Sequence, residues 1–179
     1  MKMDQMVQNT SASTLKPAPR PLQANPARAP EPRTNDPERT RDAILQAALL
    51  EFGEKGLAGA RIDAIAAATD TSKRMIYYYF GSKDGLYLAA LEQSYAGVRD
   101  RESRLHLDDM DPETALRCLV TVTFDHHLGN ENYIRIVMSE NINRGRYLAQ
   151  STRIQELNRP AITMLRTIYE RGVADGVFR

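Results

Sequence analysis

Apolar positions along residues 36–54 recur at steps of three and four, through Ile44, Leu45, Ala48, Leu49 and Phe52. That spacing places one hydrophobic stripe on a helix. Asn35-Asp36-Pro37-Glu38 opens it: the Asp or Asn side chain accepts backbone N–H groups, Pro forfeits no bond in a first turn, and an early Glu suits the helix dipole. Gly53 and Gly56 mark its end, the second well placed for a left-handed cap. A short helix over 61–68 follows, with Ile62, Ile65 and Ala66 inward and small residues that let helices approach closely. Thr69-Asp70-Thr71-Ser72 is a polar interruption, and Ser72 can cap a third helix over 73–80. There Ile76 and Phe80 face one way, while Lys73, Arg74, Tyr77 and Tyr78 occupy the other side. Gly81-Ser82-Lys83-Asp84 breaks the pattern, and Ser82 can cap a fourth helix through Leu86, Leu88, Leu91 and Tyr95. Pro112 starts a helix to residue 128, with Ala115, Leu116, Leu119, Val122 and Phe124 as candidates for its inner face. Two more cover 133–144 and 152–174, the last interrupted or bent near Pro160. The predicted fold class is all-α.

Composition sharpens the division of the chain. Of nine prolines, six fall within residues 17–32, among Ser, Thr, Gln and Asn and without an aromatic residue. Such a stretch buries too little apolar surface to offset its chain entropy, so residues 1–34 are expected to be a disordered, Pro-rich leader. It carries five cations against Asp4 and Glu31, which suits either loose phosphate contacts or simple solvation. Residues 35–92 form one predicted domain and 93–179 a second. No apolar run approaches the roughly 18 residues that cross a bilayer, and the start lacks the apolar core of a signal peptide. A cytoplasmic location and no membrane partner are expected. The single cysteine, Cys118, offers no internal disulfide and sits among Leu116, Leu119 and Val122 as ordinary packing.

The net charge of +1 decides nothing about a polyanionic partner, because local charge does the binding. From Thr71 to Lys83 there are three cations and no acid. A helix, a polar turn and a second helix at this spacing make the unit that lays a recognition helix in the major groove of DNA. Arg74 can grip guanine with two bonds, and the rings of Tyr77 and Tyr78 suit thymine methyls and sugars, their hydroxyls phosphates. Lys83 and the N–H groups opening the next helix suit another phosphate.

The run from Ile65 to Leu86, with its Tyr77-Tyr78-Tyr79-Phe80-Gly81-Ser82-Lys83 core in register with both flanking helices, resembles the DNA-binding signature of TetR-type regulators. The likeness spans about residues 37–92. It implies a three-helix, homeodomain-like helix-turn-helix domain followed by a helical ligand-binding and dimerisation bundle. It also implies DNA contacts at Thr71, Ser72, Lys73, Arg74, Met75, Tyr77, Tyr78, Tyr79 and Lys83. The partners implied are a palindromic duplex, a small-molecule inducer and a second copy of the chain, and the function is that of a repressor. Three positions depart from the family pattern. Ala60 stands where a Thr or Ser usually caps the second helix, Asp70 where a turn glycine is common, and Tyr79 where His is frequent.

For the bundle, the resemblance implies an inducer held between helices. Phe124, His127, Met138, Asn141, Tyr147, Met164 and Ile168 are the candidate lining, each competing with an ordinary core role. The neighbours His126 and His127 point about 100 degrees apart on a helix and chelate one ion poorly, so no metal is expected. No cofactor or catalytic residue is expected either: the chain lacks a Gly-rich phosphate loop and a nucleophile–base motif. Asp125, His127 and Glu140 form no more of a catalytic set than any helical domain offers. Family members generally continue with two further helices that pair across a dimer axis, so the bundle is expected to be incomplete at its C-terminus. The alternative to a regulator is a helical interaction module whose basic face meets an acidic protein.

Overall fold

The computed structural model describes residues 36–179, and the predicted leader lies outside them. In chain order come α1 (Pro37–Gly59), α2 (Ile62–Ala68), α3 (Lys73–Phe80), α4 (Lys83–Ser103), α5 (Pro112–Gly129), α6 (Glu131–Ile142) and α7 (Thr152–Ala174). Single 3-10 turns occupy Leu107–Asp109 and Leu148–Gln150, and no strand occurs among the described residues.

Side-chain caps account for most of the helix starts. Asp36 Oδ1 accepts from the N–H of Glu38 at 3.0 Å and of Arg39 at 3.3 Å. Ser72 Oγ accepts from Met75 at 3.2 Å, Ser82 Oγ from Gly85 at 2.9 Å, Asp111 Oδ1 from Thr114 at 3.0 Å and Ser151 Oγ from Ile154 at 3.0 Å. Each such cap contributes about 1 kcal/mol. The break in α1 falls at Gly56, whose φ is 64°, and one more turn carries the helix to Gly59.

One boundary and one expected interruption differ from expectation for local reasons. α6 begins at Glu131, two residues early, because Asn130 alone joins it to α5. The Asn130 amide donates to the His126 carbonyl at 2.7 Å and closes α5. α7 runs through Pro160 as one helix. Pro160 and Glu156, whose carbonyl loses its backbone partner, are both exposed, so water can serve that oxygen.

One apolar core fills the interior from α1 through α4 and continues into the bundle. Ile44, Ala48 and Phe52 meet Ile65, Ile76, Leu86, Tyr87 and Leu91, and the cluster extends to Ile136 of α6, Tyr147 and Ile154. The expected division at residues 92 and 93 falls inside α4, which belongs to both halves. A second cluster joins Leu107, Ala115, Leu119 and Ile168, with Cys118 packed at its edge. On α5, Ala115 and Leu119 are buried, but Phe124 is 60% exposed rather than inward. Nine residues beyond Ala115, a helix has turned by about 180 degrees.

Candidate nucleic-acid interface

The start of α2 has no side-chain cap of its own. Ala60 is buried, and the Arg61 N–H bonds instead to Glu51 Oε1, at 2.9 Å, from α1. Glu51 also receives the Lys55 ammonium at 2.7 Å. Burial works against the Glu51 charge, but the bonds from Lys55 and the Arg61 amide, together with both cations, outweigh it and hold the carboxyl below its ordinary range. A neighbouring helix thus satisfies one of the free N–H groups at the start of α2 where no Thr or Ser side chain does so. The signal was present in the sequence: an acid three residues after Ala48 lies on the buried stripe.

The turn that follows aims α3. Thr69 Oγ1 closes α2 by donating to the Ile65 carbonyl at 2.9 Å, and the Thr71 N–H returns to the Ala66 carbonyl at 3.0 Å. Asp70 takes φ 49°, the left-handed conformation usually given to glycine, at a cost of about 1–2 kcal/mol. At the far end of α3, Gly81 has φ 73°. A Cβ on Gly85 would lie 2.2 Å from the Phe80 carbonyl oxygen, so only glycine lets α4 leave this close to α3.

Within that frame α3 has two unlike faces. Ile76 has no exposure, and Phe80 and Tyr79 pack partly buried against the core. Tyr78 is 77% exposed and Tyr77 43%, with Ser72, Lys73 and Arg74 exposed beside them. Thr71, Met75 and Lys83 are half-buried at the margins. Tyr79 lies edge-on to Tyr78, with ring centroids 5.4 Å apart, so it braces that exposed ring as well as filling the core edge. The Arg41 guanidinium sits 5.5 Å over the Phe80 ring and ties the start of α1 to the end of α3.

The three cations are not equivalent. The Lys73 ammonium pairs with Asp63 Oδ1 of α2 at 2.5 Å, both side chains about half exposed. Lys83 donates to the Ala58 carbonyl at 3.5 Å, which pins the last turn of α1 against the start of α4. Arg74 forms no ion pair among the described residues. Asp63 was not foreseen as part of this face, since its role depends on how α2 crosses α3.

The residues suggested for an inducer do not gather around one cavity. Phe124 and Met138 are exposed at 60% and 52%, and Asn141 is exposed as well. His127 stacks on Tyr133 with centroids 5.4 Å apart. Tyr147 is a core residue, edge-on to Tyr87 at 5.1 Å. Ile168 is buried in the second cluster beside a cavity of about 410 Å³ between α5 and α7. Met164 lines a groove of about 650 Å³ between α4 and α7, with Arg99, Glu102, Leu157 and Pro160. Periodicity placed six of the seven residues on helices, with Tyr147 in the connection before the last one, but could not say which helix faces meet. The buried member of the histidine pair is His126, 5% exposed. Desolvation, then the charges of Arg101, His127 and Arg99, push its pKa down.

Comparison with known proteins agrees with this geometry. Residues 44–90 match the family model described as bacterial regulatory proteins, tetR family, and residues 112–179 match a tetracyclin repressor-like C-terminal domain. The HTH-type transcriptional repressor NicS of Pseudomonas putida is 40% identical over 147 residues, covering 82% of this chain and 69% of that protein. An HTH-type transcriptional repressor of Streptomyces coelicolor is 33% identical over 139 residues, covering 77% of this chain and 69% of its own. The crystal structure of HlyIIR, a hemolysin II transcriptional regulator, superposes with a TM-score of 0.59 at 27% identity, over 80% of this chain and 78% of that one.

Proposed function

This chain belongs to the TetR family of bacterial regulatory proteins, and on that premise we propose that it is a repressor that reads a palindromic operator with the outer face of α3 and releases it when a small molecule enters the bundle. As a family member it is a helix-turn-helix transcriptional regulator. The observation that carries the reading is the pair of exposed phenols, Tyr77 and Tyr78, beside Lys73 and Arg74, on a helix whose opposite side is anchored by fully buried Ile76.

Each part of that face has a use in a groove about 12 Å wide. Arg74 suits a guanine edge, the tyrosine rings suit thymine methyls and sugars, and Thr71, Ser72 and Lys83 suit phosphates. Lys73 has to leave Asp63 to meet a phosphate. Exposed pairs of this kind contribute about 0–1 kcal/mol, so that exchange costs little. A palindrome needs two heads about 34 Å apart, hence two copies of the chain. Exposed Val120, Leu128, Ile162, Leu165 and Tyr169 on α5 and α7 support an apolar contact between copies.

For the inducer, the α4–α7 groove has the size of a small-molecule site, an apolar floor and polar groups at Arg99 and Glu102. No helix among the described residues is long and apolar enough to cross a membrane, which accords with action on DNA in the cytoplasm.

The test is selection of duplexes from a random library, followed by titration at several salt concentrations. Tight binding that weakens steeply with salt and falls roughly tenfold to a hundredfold in Tyr78→Ala is expected. No duplex binding at low salt, together with salt-resistant capture of an acidic protein, would replace the repressor with an interaction module.

A further inference from the structure

Glu140 of α6 has no solvent exposure. Its Oε1 accepts the backbone N–H groups of Tyr147 at 2.6 Å and Leu148 at 3.1 Å, and its Oε2 accepts the Tyr87 hydroxyl at 3.3 Å. Among the described residues it has no ion-pair partner. One carboxyl group therefore joins three segments: α6, the connection between α6 and α7, and α4 directly behind the reading head. Burial, followed by the nearby Glu140 charge, pushes the Tyr87 phenol up to about 12, so its hydroxyl keeps the proton it donates. The Tyr87 ring in turn lies edge-on to Phe52 of α1 and to Tyr147, both at 5.1 Å.

A second tie lies five residues, about one and a half turns, further along α4. Ser151, the cap of α7, donates to Glu92 Oε1 at 2.7 Å, and Arg153 reaches Glu92 Oε2 at 3.6 Å. Arg153 also lines the α4–α7 groove. The α6–α7 connection is thus fastened to α4 at two heights, and one of the fasteners borders the space assigned to the inducer.

We infer that Glu140 is a positioning residue for operator recognition, setting the angle at which α4 presents α3 by locking Tyr87 to the α6–α7 connection, through which a shift of α7 is delivered to the head. The inference rests on the repressor reading, since it gives Glu140 a role in presenting a DNA-reading helix. Two heads must hold a fixed spacing to occupy a palindrome. A clamp that holds α4 therefore governs affinity for the palindrome without touching a base. A buried acid chosen only for packing would be replaced by an apolar residue without such a consequence.

The experiment measures affinity for the duplex selected by the wild-type chain, at a temperature where circular dichroism shows every variant folded. Tyr87→Phe removes one hydroxyl and keeps the ring. Glu140→Leu removes the carboxyl. In Glu140→Gln the side-chain oxygen still accepts from Tyr147 and Leu148 while the amide donates to the Tyr87 oxygen. Tyr87→Phe and Glu140→Leu are each expected to weaken binding roughly tenfold, by loss of a buried hydrogen bond. The double variant should bind no more weakly than Glu140→Leu alone, and Glu140→Gln should stay close to wild type. Affinity for an unrelated duplex should not move. Wild-type affinity in folded Tyr87→Phe, additive losses in the double variant, or Glu140→Gln as weak as Glu140→Leu would overturn the assignment. Should Glu140→Leu fail to fold, Tyr87→Phe and Glu140→Gln decide by themselves. Failure of the repressor reading looks different: the wild-type chain then selects no duplex at all.

Discussion

The reading head and the bundle handle polarity in opposite ways. In α1 to α3 a single polar side chain, Glu51, is buried, and it serves as a substitute cap. The large apolar side chains left outside there are Leu50 and the α3 tyrosines Tyr77 and Tyr78. Beyond α3, Ser94, Glu102, His126, Glu140 and Ser151 are buried, while Val120, Phe124, Leu128, Ile162, Leu165 and Tyr169 are among the large apolar residues left outside. The head has an apolar interior and keeps its polar and aromatic chemistry on the surface. The bundle keeps hydrogen-bonding groups inside, where a ligand or a neighbouring helix can engage them, and apolar ones outside, where another protein surface can cover them.

Substitutions that separate stability from recognition test this contrast most strongly. Ile76→Ala should cost about 2–5 kcal/mol of stability, read from denaturant unfolding, because it opens a cavity behind α3. Tyr78→Ala, about 200 degrees round the same helix and outside the core, should leave stability within about 0.5 kcal/mol while weakening the selected duplex by roughly tenfold to a hundredfold. If both substitutions destabilise alike, α3 does not have two separable faces.

A smaller effect is expected at the substitute cap. Glu51→Ala leaves the Arg61 N–H without its acceptor and should cost about 1–3 kcal/mol. The folded pKa of Glu51 lies below its unfolded value of 4.5. Its contribution is therefore complete above that value and lost as pH falls through the folded one. Glu51→Gln should flatten this acid limb in a series of melting curves.

Smaller again is the titration of His126. Burial and neighbouring cations lower its pKa below 6.5, so the folded state holds it neutral while the unfolded chain takes up a proton first. Stability should be unaffected above pH 6.5 and decline as pH falls through the folded pKa, a decline that His126→Gln removes. The smallest change is expected on the outer bundle: Ile162→Ser and Tyr169→Ser should alter chain stability by no more than about 0.5 kcal/mol. Their effect should appear in sedimentation velocity, as loss of association between copies.

Much of the head was legible in the chain itself. Asp36, Ser72 and Ser82 announce their helices because a cap is a local event, settled within three residues. The opposed faces of α3 follow from its own spacing, and Asp70 takes the left-handed φ that its place in the turn requires. What stayed hidden depends on contacts distant in sequence. Asp63 meets Lys73 only because α2 crosses α3, and Glu140 meets Tyr87 across 53 residues. The inducer lining was the least legible: Tyr147 and Ile168 pack in the core and Phe124 faces outward, since helical spacing gives a face but not its neighbour.

The central claim is that α3 is the part of this molecule that touches DNA. Backbone amide hydrogen exchange with and without the selected duplex tests it most directly. Slowed exchange centred on Thr71 to Tyr79 and at Lys83, with α5 and the outer face of α7 unchanged, is the predicted result. Slowing centred on α5 or α7, with α3 indifferent to the duplex, would contradict it.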